Sequence, residues 1–152
     1  MENKKVSVQL DEMMPLIRER LSMGQHVRFS PRGISMLPML RPGTDSVVLC
    51  PLPEKLRKYD LPLYRRSNGH YVLHRIVHTG DTYTCVGDNQ FELETGLEHR
   101  QMIGLVCAFT RGGREYTVED LRYRLYCRCW HHTRPVRKLW RTGMYLIRRY
   151  LL

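Results

Sequence analysis

No stretch of this chain approaches the roughly 18 consecutive apolar residues that a membrane-crossing helix requires, so no spanning helix is expected. The opening residues, MENKKVSVQLDEMM, are polar and lack the apolar run and small-residue cleavage site of an export signal. A cytoplasmic setting is therefore expected. The five cysteines are odd in number and irregularly spaced, which fits reduced thiols better than a disulfide framework. There is no internal repeat, no low-complexity tract and no glycine-rich motif of the kind that cradles phosphate. Acidic residues are absent from position 121 onward.

The last absence reshapes the net charge of +10. Residues 1–120 hold 16 Lys and Arg against 15 Asp and Glu, whereas residues 121–152 hold nine basic residues and no acid. The body is neutral and the tail carries the charge, so any basic-partner argument concerns the tail alone. With 152 residues and 42% hydrophobic content, the chain is long and apolar enough for one ordinary core.

Residues 8–22 place Leu10, Met13 or Met14, Ile17 and Leu21 at helical spacing, ending near Gly24. Pro15 falls among them and predicts a later helix start. From about 26 to 117 the pattern becomes β-like, with runs at 26–30, 45–50, 60–66, 70–77, 82–87 and 102–110. Turn residues separate them, and Ser67-Asn68-Gly69 predicts a hairpin. Helix returns from Val118, with Val118, Leu121, Leu125 and Cys129 on one face. After a break near Thr133–Pro135, a second stripe holds Val136, Leu139, Trp140, Gly143, Met144, Ile147 and Leu151. The division is an N-terminal helical segment (1–25), a β domain (26–117) and a basic amphipathic helical tail (118–152).

Residues 32–40, RGISMLPML, set one hydroxyl, Ser35, in an apolar stretch. A serine in a turn before proline is ordinarily a turn residue. His74 interrupts the apolar run HYVLHRIV, and most strand histidines are structural. Gly87-Asp88-Asn89 by itself is a common turn. In combination the three match an ordered set: Gly33, Ser35, Met36, Pro38 and Leu40; then His74, Arg75, Ile76 and Val77; then Gly87, Asp88 and Asn89; then Ile103, Gly104 and Val106. This order resembles the signal peptidase I / LexA-type serine peptidase superfamily over about residues 26–110. Pro38, Leu40 and Gly43, extending to Asp45, also fit the signal peptidase pattern.

The resemblance implies a mainly β, signal peptidase/LexA-like fold with one N-terminal and two C-terminal helices. It also implies Ser35 as nucleophile and His74 as general base. Other branches of the superfamily use lysine at the matching place, and some signal peptidases use histidine. A serine hydroxyl needs such a base to take its proton, and an imidazole with pKa of about 6.5 is already largely neutral at pH 7. An acid must fix its tautomer. Asp88, inside the motif, is slightly preferred over Glu94, which lies a few residues beyond. Gly33 and Ile34 stand where many signal peptidases have serine and glycine, which shifts the oxyanion hole onto backbone N–H groups, that of Ser35 among them. The LexA branch joins its peptidase to a DNA-binding domain, but residues 1–25 hold at most one helix, too little for a helix-turn-helix. An Ala-Gly or Cys-Gly bond for self-cleavage is absent upstream of Ser35.

The expected function is thus a serine endopeptidase acting on a leader or signal-type peptide, with no cofactor. The rivals are a catalytically silent module that grips an extended peptide as an added strand, and a membrane-surface protein driven by the tail. Residues 134–152 could meet an anionic membrane surface at its inner face; a nucleic-acid partner is not expected. Cys127, Cys129, His131 and His132 hold metal-ligand atoms, but two cysteines two apart on a helix point away from each other, so no metal site is assigned.

Overall fold

The computed structural model describes residues 2–151, with side chains from Leu10 to Tyr150. Helix α1 (Glu2–Ser22) comes first. Its Met14, Ile17 and Leu21 recur every three or four residues and are all buried, so one stripe holds the helix against the body. The expected later start is corrected, because Pro15 lies within the helix. Pro15 and Asp11 are both exposed, so the carbonyl that loses its helical partner at Pro15 faces water.

Nine strands follow: β1 (Val27–Phe29), β2 (Ser46–Cys50), β3 (Pro62–Arg65), β4 (Tyr71–Leu73), β5 (Arg75–Thr79), β6 (Tyr83–Val86), β7 (Glu94–Leu97), β8 (Met102–Arg111) and β9 (Arg114–Thr117). They form two antiparallel sheets. The larger runs β1-β2-β8-β3-β4 with β9 also on β8, and the smaller runs β5-β6-β7. The architecture is mainly sheet with three helices, as expected. In β2, Val47 and Leu49 point inward while their neighbours are half-buried, the alternation of a sheet with one core face. The hairpin at Ser67–Gly69 joins β3 to β4, closed by Arg66 N–H to the His70 carbonyl (2.8 Å) and Gly69 N–H to the Arg66 carbonyl (2.9 Å).

One corrected expectation positions the site. HYVLHRIV is not a single strand: β4 ends at Leu73 in the larger sheet and β5 begins at Arg75 in the smaller. Leu73 packs in the core of the larger sheet with Val47, Leu49 and Ile103. Ile76 packs in a second core with Tyr64, Tyr83 and Cys85. An apolar run can serve two cores in turn, and His74 is the residue where the chain crosses between them. Strands β7 and β9 were not expected. β7 (ETGL) lacks alternation and is exposed over half its length. β9 depends on a two-residue turn in which Gly112 and Gly113 both have positive φ (59° and 77°), the requirement of the tight hairpin that pairs Arg111 with Arg114.

Helix α2 (Leu121–His132) and helix α3 (Arg134–Leu151) complete the chain. The stripe expected on α2 is corrected, since Leu121 and Leu125 are 70% and 50% exposed whereas Tyr123 and Cys127 are buried. The reason is polar. Nη1 of the buried Arg75 donates to Tyr123 Oη (2.9 Å) and Cys127 Sγ (3.0 Å), and satisfying a buried guanidinium outweighs covering two leucines. Residues Met14, Ile17, Leu21, Tyr123 and Cys127 share one core with the larger sheet. Among the described residues no helix is long and apolar enough to cross a membrane.

Candidate active site

Ser35 stands on a ledge, residues 31–45, that closes on itself. Leu37 N–H bonds the Ile34 carbonyl, Leu40 N–H the Met36 carbonyl and Gly43 N–H the Pro31 carbonyl. Met36, Met39 and Leu40 are buried and anchor the ledge in the main core, while Ile34 is exposed. The Leu37–Pro38 peptide is cis. Asp45 fixes the exit. Its carboxylate accepts the Arg41 N–H (2.8 Å), Arg41 Nε and Nη2 (3.1 and 2.9 Å) and the Gly112 N–H (3.1 Å). The Arg41 side chain holds the Asp45 carboxyl down at about 2 against the opposing effect of burial.

The loop after β6 presses on this ledge from the other side. Asn89 N–H donates to the Ser35 carbonyl (2.8 Å) and Asn89 Nδ2 to the Ile34 carbonyl (3.3 Å). A Cβ at Gly87 would lie 2.7 Å from the Ser35 carbonyl oxygen and 3.1 Å from Ser35 Cβ, so only glycine admits the ledge this closely. The β5–β6 register sets Arg75 opposite Val86. His74 directly precedes β5 and Gly87 directly follows β6, so the imidazole and the residue on which Ser35 packs lie at the same end of this strand pair.

His74 is 2% exposed. Its Nδ1 lies 2.9 Å from Glu94 Oε1, with Tyr64 Oη at 3.4 Å. Glu94 also receives both arms of the Arg66 guanidinium, Nε at 2.9 Å and the shorter bond from Nη2. Burial pushes the Glu94 carboxyl up, but the hydrogen bonds from Arg66 and His74 outweigh it and hold the group well below the usual carboxylate range. An ionised Glu94 can only accept, so the partner assigns the proton to Nδ1 and leaves the Nε2 lone pair for another partner. Burial pushes the Tyr64 phenol far up, so it stays a neutral hydroxyl beside the pair.

The acid preferred from sequence, Asp88, is placed elsewhere. Its two oxygens take Nε and Nη2 of Arg75, each at 2.8 Å, and Oδ2 also accepts the Tyr126 hydroxyl at 2.8 Å. The Asp88 carbonyl accepts Trp130 Nε1 (2.7 Å) and Arg137 Nη1 (3.4 Å). Of the two acids weighed for His74, Glu94 makes the contact. Asp88 turns away because the buried guanidinium next in sequence claims its carboxylate. Burial works against the charge on Arg75, but the nearby Asp88 overcomes it and the guanidinium is held well above its ordinary value. Through its remaining donors Arg75 reaches Met39 on the ledge (3.0 Å) and the Tyr59 carbonyl (3.2 Å). The pair ties ledge, loop and α2 together.

Several of these residues were not foreseen. Arg66 and Tyr64 come from β3 and its end in the larger sheet to Glu94 in the smaller one, and no local pattern marks them. Tyr126 and Trp130 had a readable signal, an aromatic pair at i and i+4 on one helix face, and their rings stack at 5.7 Å. Helix α2 runs unbroken through Cys127 and Cys129, one buried and one exposed, so the two thiols do not share a face. An open groove of about 830 Å³ adjoins Glu94, bordered by Arg18, Arg65, Arg66, Glu98 and Arg100. Comparison of the chain with protein-family models, with curated proteins and with solved structures gives no significant match.

An imidazole fixed through Nδ1 by a carboxylate can take and return a proton at Nε2. A serine hydroxyl on a hydrogen-bonded ledge acts as a nucleophile once such a base takes its proton.

Proposed function

We propose that this protein is a serine endopeptidase of the signal peptidase type that cleaves a leader or signal-type peptide. The observation that carries the reading is the 2.9 Å contact between His74 Nδ1 and Glu94, at the same end of the β5–β6 pair as the glycine against which Ser35 packs. In this mechanism Nε2 of His74 takes the Ser35 hydroxyl proton as Oγ adds to the scissile carbonyl carbon. The resulting oxyanion is received by backbone N–H groups, that of Ser35 among them. The imidazolium then protonates the leaving amine, the C–N bond breaks, and an acyl ester remains on Oγ. Water, deprotonated by Nε2, attacks the ester; the proton returns to Oγ as the acid departs. Glu94 stays ionised throughout and stabilises the imidazolium. Asp88 acts one step removed, holding the loop that positions the ledge.

The resemblance to signal peptidases implies small side chains before the cut. The test is a degenerate peptide library incubated with the purified protein and read by mass spectrometry. The proposal expects defined cleavage products that vanish with Ser35→Ala and with His74→Ala. Products that persist in Ser35→Ala would overturn the assignment. Peptide binding without turnover in the wild type would replace it with a catalytically silent peptide-binding module.

A further inference from the structure

Helix α3 keeps its apolar side uncovered. Val136, Leu139, Trp140, Ile147 and Tyr150 are between 50% and 74% exposed, and Met144 and Leu146 are 38% and 45% exposed. At 3.6 residues per turn these side chains fill one continuous arc of about 160°. The opposite arc carries Arg137, Lys138, Arg141, Arg148 and Arg149, with no acid anywhere from residue 121 onward. Every one of these apolar side chains is at least 38% exposed. Polar contacts hold the helix: Arg137 Nη2 donates to the Trp130 carbonyl (2.7 Å), Arg137 Nη1 to that of Asp88 (3.4 Å), and Arg141 Nη1 to that of Asn89 (3.3 Å). The guanidinium of Arg137 lies 3.8 Å from the centre of the Trp130 ring.

The body therefore grips α3 by its basic side and turns the apolar arc outward. A second copy would oppose one acid-free basic helix to another, which like-charge repulsion disfavours. Nucleic acid would satisfy the arginines but leave the apolar arc in water. An anionic lipid surface satisfies both, since the arc enters the acyl boundary while the long side chains of Lys138, Arg148 and Arg149 reach towards headgroups. We infer that α3 is an interfacial helix that seats this protein on an anionic membrane surface. Because Arg137 and Arg141 hold the Asp88–Asn89 backbone, the seated helix fixes the ledge-bearing side of the molecule at a set distance from the bilayer. The inference stands independently of the peptidase reading and is read without any substrate.

The test is flotation of the full chain with vesicles of phosphatidylcholine alone and of phosphatidylcholine with 30% phosphatidylglycerol. Binding is expected on the anionic vesicles, weakening as salt rises. Lys138→Gln, Arg148→Gln and Arg149→Gln combined should reduce partitioning by about 100-fold, at about fivefold per charge near the surface. Leu139→Glu with Ile147→Glu, both on the uncovered arc, should reduce it at least tenfold without altering the fold. Trp140 fluorescence should shift to the blue on anionic vesicles, and Trp140→Phe should remove that shift. Equal partitioning onto both vesicle types overturns the inference, as does binding untouched by the two glutamates. The same holds for a concentration-dependent dimer abolished by those glutamates, or for RNA binding that leaves Trp140 unshifted and exceeds vesicle binding.

Discussion

Nδ1 of His74 and Oε1 of Glu94 lie 2.9 Å apart although they come from different parts of the chain, one from the crossing between the sheets and the other from the start of β7. Arg66 grips the same carboxylate, so its position does not depend on the imidazole. Replacing Glu94 by Gln keeps the shape and removes the charge that holds Nδ1–H. The expected outcome is a fall in kcat on the order of 10⁴, the loss found when the acid of a serine–histidine pair is neutralised. KM should be nearly unchanged. Steady-state kinetics on the best cleaved peptide decides it, and an equal fall for Asp88→Asn with an unchanged Glu94→Gln would reverse the two assignments.

Arg75 and Asp88 form a buried ion pair, with side chains 3% and 2% exposed. Removing one partner strands the other charge away from water, at a cost of about 3–5 kcal/mol. Arg75→Met and Asp88→Leu should each lower the unfolding free energy measured in urea by that amount. The double variant should lose clearly less than the sum, because neither charge is then left behind. Additive losses would mean that the pair is not the tie between loop, ledge and α2.

That Glu94 rather than Asp88 contacts His74, while β2 and the β3–β4 hairpin are legible in the sequence, is a matter of range. β2 carries its own alternation in Val47 and Leu49, and the β3–β4 hairpin carries its own turn, so both are readable locally. Ser35, His74 and the Gly87-Asp88-Asn89 loop were legible as an ordered set. Their pairing was not, because Arg75, adjacent to His74, competes for the acid nearest in sequence. Only the three-stranded register of β5, β6 and β7 brings Glu94 under the imidazole. The α2 stripe failed for the same reason. Leu121 and Leu125 look like core until a buried guanidinium from β5 demands Tyr123 and Cys127. β7 has neither alternation nor a flanking turn pattern of its own, and its existence depends on β6.

Gly87 separates positioning from folding. A methyl group there would meet the Ser35 carbonyl oxygen at 2.7 Å, so Gly87→Ala must move the ledge, the loop or both. A misplacement near 1 Å costs about 100-fold in turnover, and the overpacking costs about 1–3 kcal/mol of stability. Gly33→Ala serves as the control, since its Cβ would meet nothing within 4 Å. Kinetics and thermal melting of both variants are the measurement. An active Gly87→Ala would show that the ledge does not need its present distance from the loop.

Asp45 should make the fold sensitive to acid. Its carboxyl is held at about 2, chiefly by the Arg41 side chain, against about 3.9 in an unfolded chain. A group whose folded value is depressed stabilises the protein above its unfolded value, and that contribution disappears as pH falls through the folded value. The contribution is therefore complete above about pH 5 and lost progressively as pH falls from about 5 through 2. Asp45→Asn keeps one acceptor for the Arg41 or Gly112 N–H but loses the ion pair, and should cost about 1–3 kcal/mol at neutral pH. Urea unfolding of wild type and variant at pH 7, 4 and 2 provides the check. The difference between them should be constant from pH 7 to about pH 5 and shrink towards pH 2 as the wild-type carboxyl takes up its proton. A difference that stays constant down to pH 2 would mean that the Arg41–Asp45 charge pair contributes nothing to holding the ledge.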